Sequence, residues 1–114
     1  MDSEMKRGTG EYGVAIHSTA RYHQELSEPE LQGYGEAICT YFMAPVPVIE
    51  VASRKQRRWG TYYHKQQRVV INRPVLGVLI HEMAHHINHV VHGGRMHDET
   101  FKVVLNELFR WWEI

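Results

Sequence analysis

Apolar residues recur every three to four positions in three stretches of this chain, and short β-branched or aromatic runs lie between the first stretch and the second. Leu31, Tyr34, Ile38, Tyr41 and Phe42 keep a helical period. Ser27-Glu28-Pro29-Glu30 stands before them as a capping box, so the spacing predicts a helix that starts after Ser27 and ends near Ala44-Pro45. Val48 to Ala52, Trp59 to His64 and Arg68 to Ile71 predict three strands of a small antiparallel sheet, joined by the polar loops Ser53 to Arg58 and Lys65 to Gln67. Asn72-Arg73-Pro74 supplies a cap and a first-turn proline, which predicts that a second helix begins there. Gly93-Gly94 stops that helix and lets the chain reverse. From His97 a third helix is expected, with Phe101, Val104, Leu105, Leu108 and Trp112 on one stripe. The fold class that follows is α+β.

At about 100° per residue, the second helix sorts its side chains into two arcs. Leu79, Ile80, Met83, Ala84, Ile87, Val90 and Val91 form a core face. His81, His85, His89 and His92 form an adjacent arc with Glu82 just beyond, so the histidine face is expected to border the core without entering it.

Composition narrows the classes. At 114 residues the chain is expected to form one domain over 1–114, with residues 1–10 as a loose start. Thirteen basic and thirteen acidic residues balance, so no global field draws in nucleic acid or an anionic membrane. No segment has the apolar length of a signal peptide or a bilayer span; the expectation is a cytoplasmic protein with no membrane partner. Cys39, the single cysteine, excludes an internal disulfide and cysteine-rich metal sites, and its apolar neighbours mark it as a small core residue.

The chemistry sits at His81-Glu82-Met83-Ala84-His85, an H-E-x-x-H pentad on the second helix. Residues four apart stand one turn above each other, so His81 and His85 can share one metal ion, and Glu82 lies where it can reach a water on that ion. Nine histidines make such a pentad reachable by chance, so its surroundings must decide. A catalytic zinc takes three protein ligands and keeps a fourth position open. His86 points about 100° away from His85, and His92 lies roughly 10 Å further along the axis; His89 and His92 are assigned to the rim or to solvent. Glu99 should face water, and Glu107 lies about 15 Å along the third helix. His97 follows the double-glycine reversal and shares the apolar stripe of Phe101, Val104 and Leu108, which turns its ring inward. His97 is therefore the expected third ligand.

With these residues placed, the chain resembles the SprT-like zinc metallopeptidases, with the related WLM group and the Spartan proteases, over roughly Val48 to Phe109. H-E-M-A-H-H matches the family's active helix. His97-Asp98-Glu99-Thr100-Phe101 resembles its downstream H-G-x-x-F. Arg58-Trp59-Gly60 followed by Val69-Val70-Ile71-Asn72 looks like its R-W-G and I-x-L-N strands. The resemblance implies one zinc ion on His81, His85 and His97, Glu82 as general base, and a protein or peptide substrate. Three departures stand out: Asp98 replaces the usual glycine, the segment from Asn72 to His81 is shorter, and the C-terminal zinc ribbon of many relatives is missing.

The expected reaction is peptide hydrolysis by a zinc-activated water, with Glu82 moving the proton. An edge strand, Trp59 to His64, would pair with an extended substrate, and one of Tyr62, Tyr63 and His64 would meet the oxyanion; the sequence leaves open which. The alternative from another class is a non-catalytic zinc-stabilised binding or adaptor domain acting on DNA or a protein partner. A latent protease, blocked by Met1 to Gly13, is a third reading. Arg54, Lys55, Arg57 and Arg58 form a basic loop that would touch nucleic-acid phosphates, although a solvated hairpin loop is the plainer reading. Trp59, Trp111 and Trp112 read as core or interface aromatics.

Overall fold

A computed structural model describes residues 10–15, 18–52, 57–94 and 96–114. A short hairpin of β1 (Gly10–Glu11) and β2 (Val14–Ala15) leads to a one-turn helix α1 (Thr19–Tyr22). Then come α2 (Glu28–Phe42), β3 (Val48–Val51), β4 (Gly60–Tyr63), β5 (Arg68–Ile71), α3 (Leu76–His92) and α4 (Glu99–Trp111). The α+β class therefore holds. The loose start expected over 1–10 lies outside the described residues except for Gly10, which pairs in β1.

The capping box forms as read: the Ser27 N–H donates to Glu30 Oε1 at 2.9 Å and the Glu30 N–H donates to Ser27 Oγ at 3.3 Å. Met43, in the left-handed region at φ 53°, closes the helix just before Pro45.

The sheet corrects one expectation. Its order is β3-β5-β4; β4 and β5 form the antiparallel hairpin, but β3 runs parallel to β5, with Val48 opposite Arg68 and Val51 opposite Ile71. The sheet is mixed, because β5 inserts between the two strands that precede it. A sign was present: Val69, Val70 and Ile71 are all buried, the unbroken apolar run of a central strand covered on both faces. Strand periodicity carries no information on direction, so this pattern reports centrality and not polarity.

The second helix starts later than Asn72-Arg73-Pro74. Leu26 N–H donates to the Pro74 carbonyl and Leu76 N–H to the Gln24 carbonyl, both at 2.9 Å, so Pro74 and Val75 pair with the segment before α2 and the helix starts only at Leu76. The Asn72 and Arg73 N–H groups both donate to the Trp59 carbonyl, which also holds them out of a helix. Long-range pairing has overridden a local start signal.

From Leu76 to Asn88 every residue of α3 is buried, between the sheet, α1, α2 and α4. The expected two-arc division is therefore wrong in one respect. His81 and Glu82 are inside the core with 0% exposure, whereas Val90 is half-buried and Val91 is exposed near the helix end. The core also takes in Tyr22, Leu31, Ile38, Phe101, Leu105 and Phe109, and Cys39 among them, where burial pushes its thiol up to about 11. Trp59 and Trp112 are half-buried against that cluster. Among the described residues no helix is long and apolar enough to cross a membrane.

Candidate metal centre

His81 and His85 stand one turn apart on α3, with ring centroids 5.0 Å apart. The third side chain arrives from the reversal after α3. Gly93 takes φ 67°, where a side chain would be strained, and its N–H bonds back to the His89 carbonyl at 3.0 Å. Gly94 then lies against Asn88, whose carbonyl accepts its N–H at 3.0 Å.

Asp98 is the N-cap of α4 and accepts from the Phe101 N–H at 2.9 Å. The same carboxylate accepts from Asn88 Nδ2 at 3.0 Å, and Thr100 Oγ1 donates to Asn88 Oδ1. Asn88 is wholly buried, so this clamp ties the start of α4 to the last turns of α3. His97 sits just outside the cap, so α4 starts two residues later than the expected start at His97, and the His97 ring is carried back over His81 and His85. Asp98 thus acts as the cap and as one arm of the clamp.

His97 Nε2 lies 3.3 Å from His81 Nε2 and 3.2 Å from His85 Nε2. A neutral imidazole carries one N–H, so a single His97 nitrogen cannot donate to both neighbours. An ion held at about 2.0–2.1 Å with tetrahedral angles places its nitrogens about 3.3–3.4 Å apart, and the two distances match that spacing. The three ligand atoms lie within 4.8 Å of one another, and among the described residues no other His, Cys, Asp or Glu joins them. These residues fit a metal ion. Burial, and then the neighbouring His81, His97 and His64, push His85 down to about 2, so it is held as the neutral imidazole that metal binding needs.

Glu82 is at the floor of a cleft of about 230 Å³ that also takes in His85, His97, His64 and Met96. Gly60 of β4 passes directly over it: a Cβ there would lie 2.9 Å from Glu82 Cγ and 3.0 Å from its Oε2. The glycine of Arg58-Trp59-Gly60 thereby admits the carboxylate beside the strand. β4 is an outer strand of the sheet whose edge away from β5 has no strand partner among the described residues, and its Thr61 and Tyr62 line this cleft.

The other histidines fall where the helix wheel sends them, with added detail. His86 is buried away from the cluster; its Nε2–H donates to the Pro45 carbonyl at 2.6 Å, and Tyr62 Oη donates to its Nδ1 at 2.8 Å. His89 is half-buried beside His64, with centroids 5.0 Å apart, and His92 is exposed. Glu99 is exposed on Lys102, and Glu107 reaches Tyr41. Of the three strand residues left open, Tyr62 and His64 line the cleft and Tyr63 is exposed.

Tyr12 escaped the sequence reading. It occupies the β1–β2 turn at φ 52°, followed by Gly13 at φ 82°, and its ring stacks on His97 with centroids 3.8 Å apart and planes 15° apart. It also lies 5.2 Å from His81. The signal was a Tyr-Gly pair of the kind a tight hairpin uses, but nothing in the sequence ties that turn to His97. The hairpin backs the ligands, while other residues line the cleft over Glu82. Of the basic loop, Arg54 and Lys55 lie outside the described residues; Arg57 and Arg58 are exposed. Compared with protein-family models, with curated proteins and with solved structures, the chain gives no match in any of the three.

Proposed function

We propose that this chain is a zinc-dependent metallopeptidase of the SprT-like kind. The observation that carries the reading is the convergence of three imidazole nitrogens, with His97 Nε2 3.2 Å from that of His85 and 3.3 Å from that of His81, beside a carboxylate that lines the same open cleft. Zinc is the ion that an all-nitrogen, three-histidine set with tetrahedral spacing suits best. His81, His85 and His97 would hold it.

When bound, zinc supplies a Lewis acid for the scissile carbonyl and brings water toward ionisation at neutral pH. Glu82 takes the proton from the attacking water and hands it to the departing amine nitrogen, so the carboxylate ends the cycle as it began. Gly60 lets the substrate backbone lie along β4 at the level of Glu82, an arrangement that strand addition to an outer edge favours. His64 is assigned to the developing oxyanion, because the Tyr62 hydroxyl is engaged with His86. Against the adaptor alternative stands the donor set itself: a closed structural site takes four protein ligands and no adjacent general base.

The test is a comparison of wild type, Glu82→Gln and His97→Ala. Wild type and Glu82→Gln should each bind one zinc per chain, and only wild type should digest a broad peptide library. His97→Ala should lose zinc at concentrations that saturate wild type. Equal zinc loading in His97→Ala would remove the metal assignment, and equal digestion by Glu82→Gln would remove the catalytic one.

A further inference from the structure

A second cleft, of about 560 Å³, opens where α1, the start of β4 and the end of β5 meet, and no step above uses it. Its walls include Trp59, Arg73, His23 and Arg58. The Arg73 guanidinium carbon stands 4.3 Å from the centre of the Trp59 ring and its Nη2 is 3.4 Å from His23 Nδ1. Arg73 thus donates one N–H to a ring nitrogen, and its guanidinium, with further N–H donors, lines the cleft. Neither Arg73 nor Arg58 has a carboxylate partner among the described residues. Glu25 is the one acidic residue of the lining, against two guanidinium groups.

The cleft neighbours the one beside the metal centre, and Arg58 lines both. Gly60 marks the level of Glu82 and hence of the bond to be cut. Arg58 lies two residues before Gly60, in the segment that leads into β4, at most roughly 7 Å away along the chain. An extended peptide on the outer edge of β4 would pass the mouth of this cleft one or two residues from that bond.

We propose that the Trp59–Arg73–Arg58 cleft is a substrate subsite that takes a carboxylate of the peptide, from an acidic side chain or the chain terminus, beside the scissile bond. The assignment rests on the peptidase reading for its place in the reaction, but not for its ligand chemistry. A planar carboxylate matches the forked guanidinium donors, and the indole face fixes the Arg73 fork in the orientation that meets it. His23 is held below its usual range by burial and then by Arg73, so it adds an acceptor to Arg73 without adding a charge.

The test uses zinc-loaded Glu82→Gln, which binds without turnover, and a set of labelled decapeptides, each carrying one Glu at a different position or Gln at the same place. Fluorescence anisotropy should show one Glu position that tightens binding about tenfold over its Gln counterpart, the range of a hydrogen bond to a charged group. Arg73→Gln and, separately, the exposed Arg58→Gln should each reduce that preference, with melting curves checking that both variants fold. Equal affinity for every Glu and Gln pair overturns the subsite, as does a preference untouched by both arginine variants. Arg73-dependent binding of a single-stranded oligonucleotide without any Glu preference also overturns it, in favour of a phosphate site. If wild type discriminates the peptides by binding but cleaves none of them, the hydrolytic reading falls and the carboxylate cleft stands.

Discussion

Gly94→Ala tests how the fold delivers the third ligand. A Cβ at Gly94 would lie 2.5 Å from Asn88 Nδ2, 2.7 Å from Asp98 Oδ2 and 2.8 Å from Asn88 Oδ1. Ordinary contact begins near 3.4 Å, so these atoms must retreat by about 0.6–0.9 Å. Asn88 is short, wholly buried and bonded at both ends of its amide, and cannot swing away while keeping Asp98 and Thr100. Moving Asp98 moves His97, its neighbour in the chain. A metal ligand tolerates only about 0.2 Å, so zinc affinity should fall by about 10–100-fold. Disrupting the clamp should also cost about 1–3 kcal/mol of stability. Gly93→Ala is the contrast: a Cβ there meets nothing within 4 Å, but φ 67° strains it. It should lose about 1–2 kcal/mol and keep its zinc affinity. Competition against a chromophoric chelator reads the affinity, and urea unfolding reads the stability. Zinc binding by Gly94→Ala within twofold of wild type would refute the claim that this contact positions His97.

Three further outcomes are expected. Tyr12→Ala should weaken zinc binding about tenfold while Tyr12→Phe keeps it, because the ring face is what backs His97; equal weakening in both variants would rule out stacking as the cause. Gly77→Ala should lower the urea midpoint by an amount equivalent to about 1–3 kcal/mol, since its methyl would lie 2.2 Å from the buried Tyr22 ring, outweighing alanine's better helix propensity of about 1 kcal/mol; an unchanged midpoint would show that α1 yields freely. The metal-free protein should weaken below about pH 6.5, because His85, pushed down to about 2 by burial, binds no proton when folded and one when unfolded; by pH 5 this amounts to about 2 kcal/mol, and His86 acts in the same direction. A urea midpoint that is flat from pH 7.5 to 5 would contradict that.

The local chemistry was legible in the sequence because it obeys short-range rules. His81, Glu82 and His85 need only helical spacing to share a face, and Ser27 and Glu30 need only three residues to form a capping box. His97 was readable because a double glycine returns the chain at once, so its distance from the helix is short along the backbone as well as in space. What remained hidden depends on segments far apart in the chain. The parallel pairing of β3 with β5 follows from which edge is left after the β4–β5 hairpin closes, and no period encodes that choice. The late start of α3 comes from bonds to Gln24 and Leu26, about fifty residues away along the chain. Tyr12 meets His97 only because β1 and β2 fold the opposite end of the chain onto α4. Residue identities thus determined which groups can hold a metal and which carboxylate stands beside them, since those are properties of side chains at fixed local spacing. Tertiary packing decided how deep they are buried, what holds them in place and which cleft adjoins them, because those depend on contacts that form only when distant segments meet.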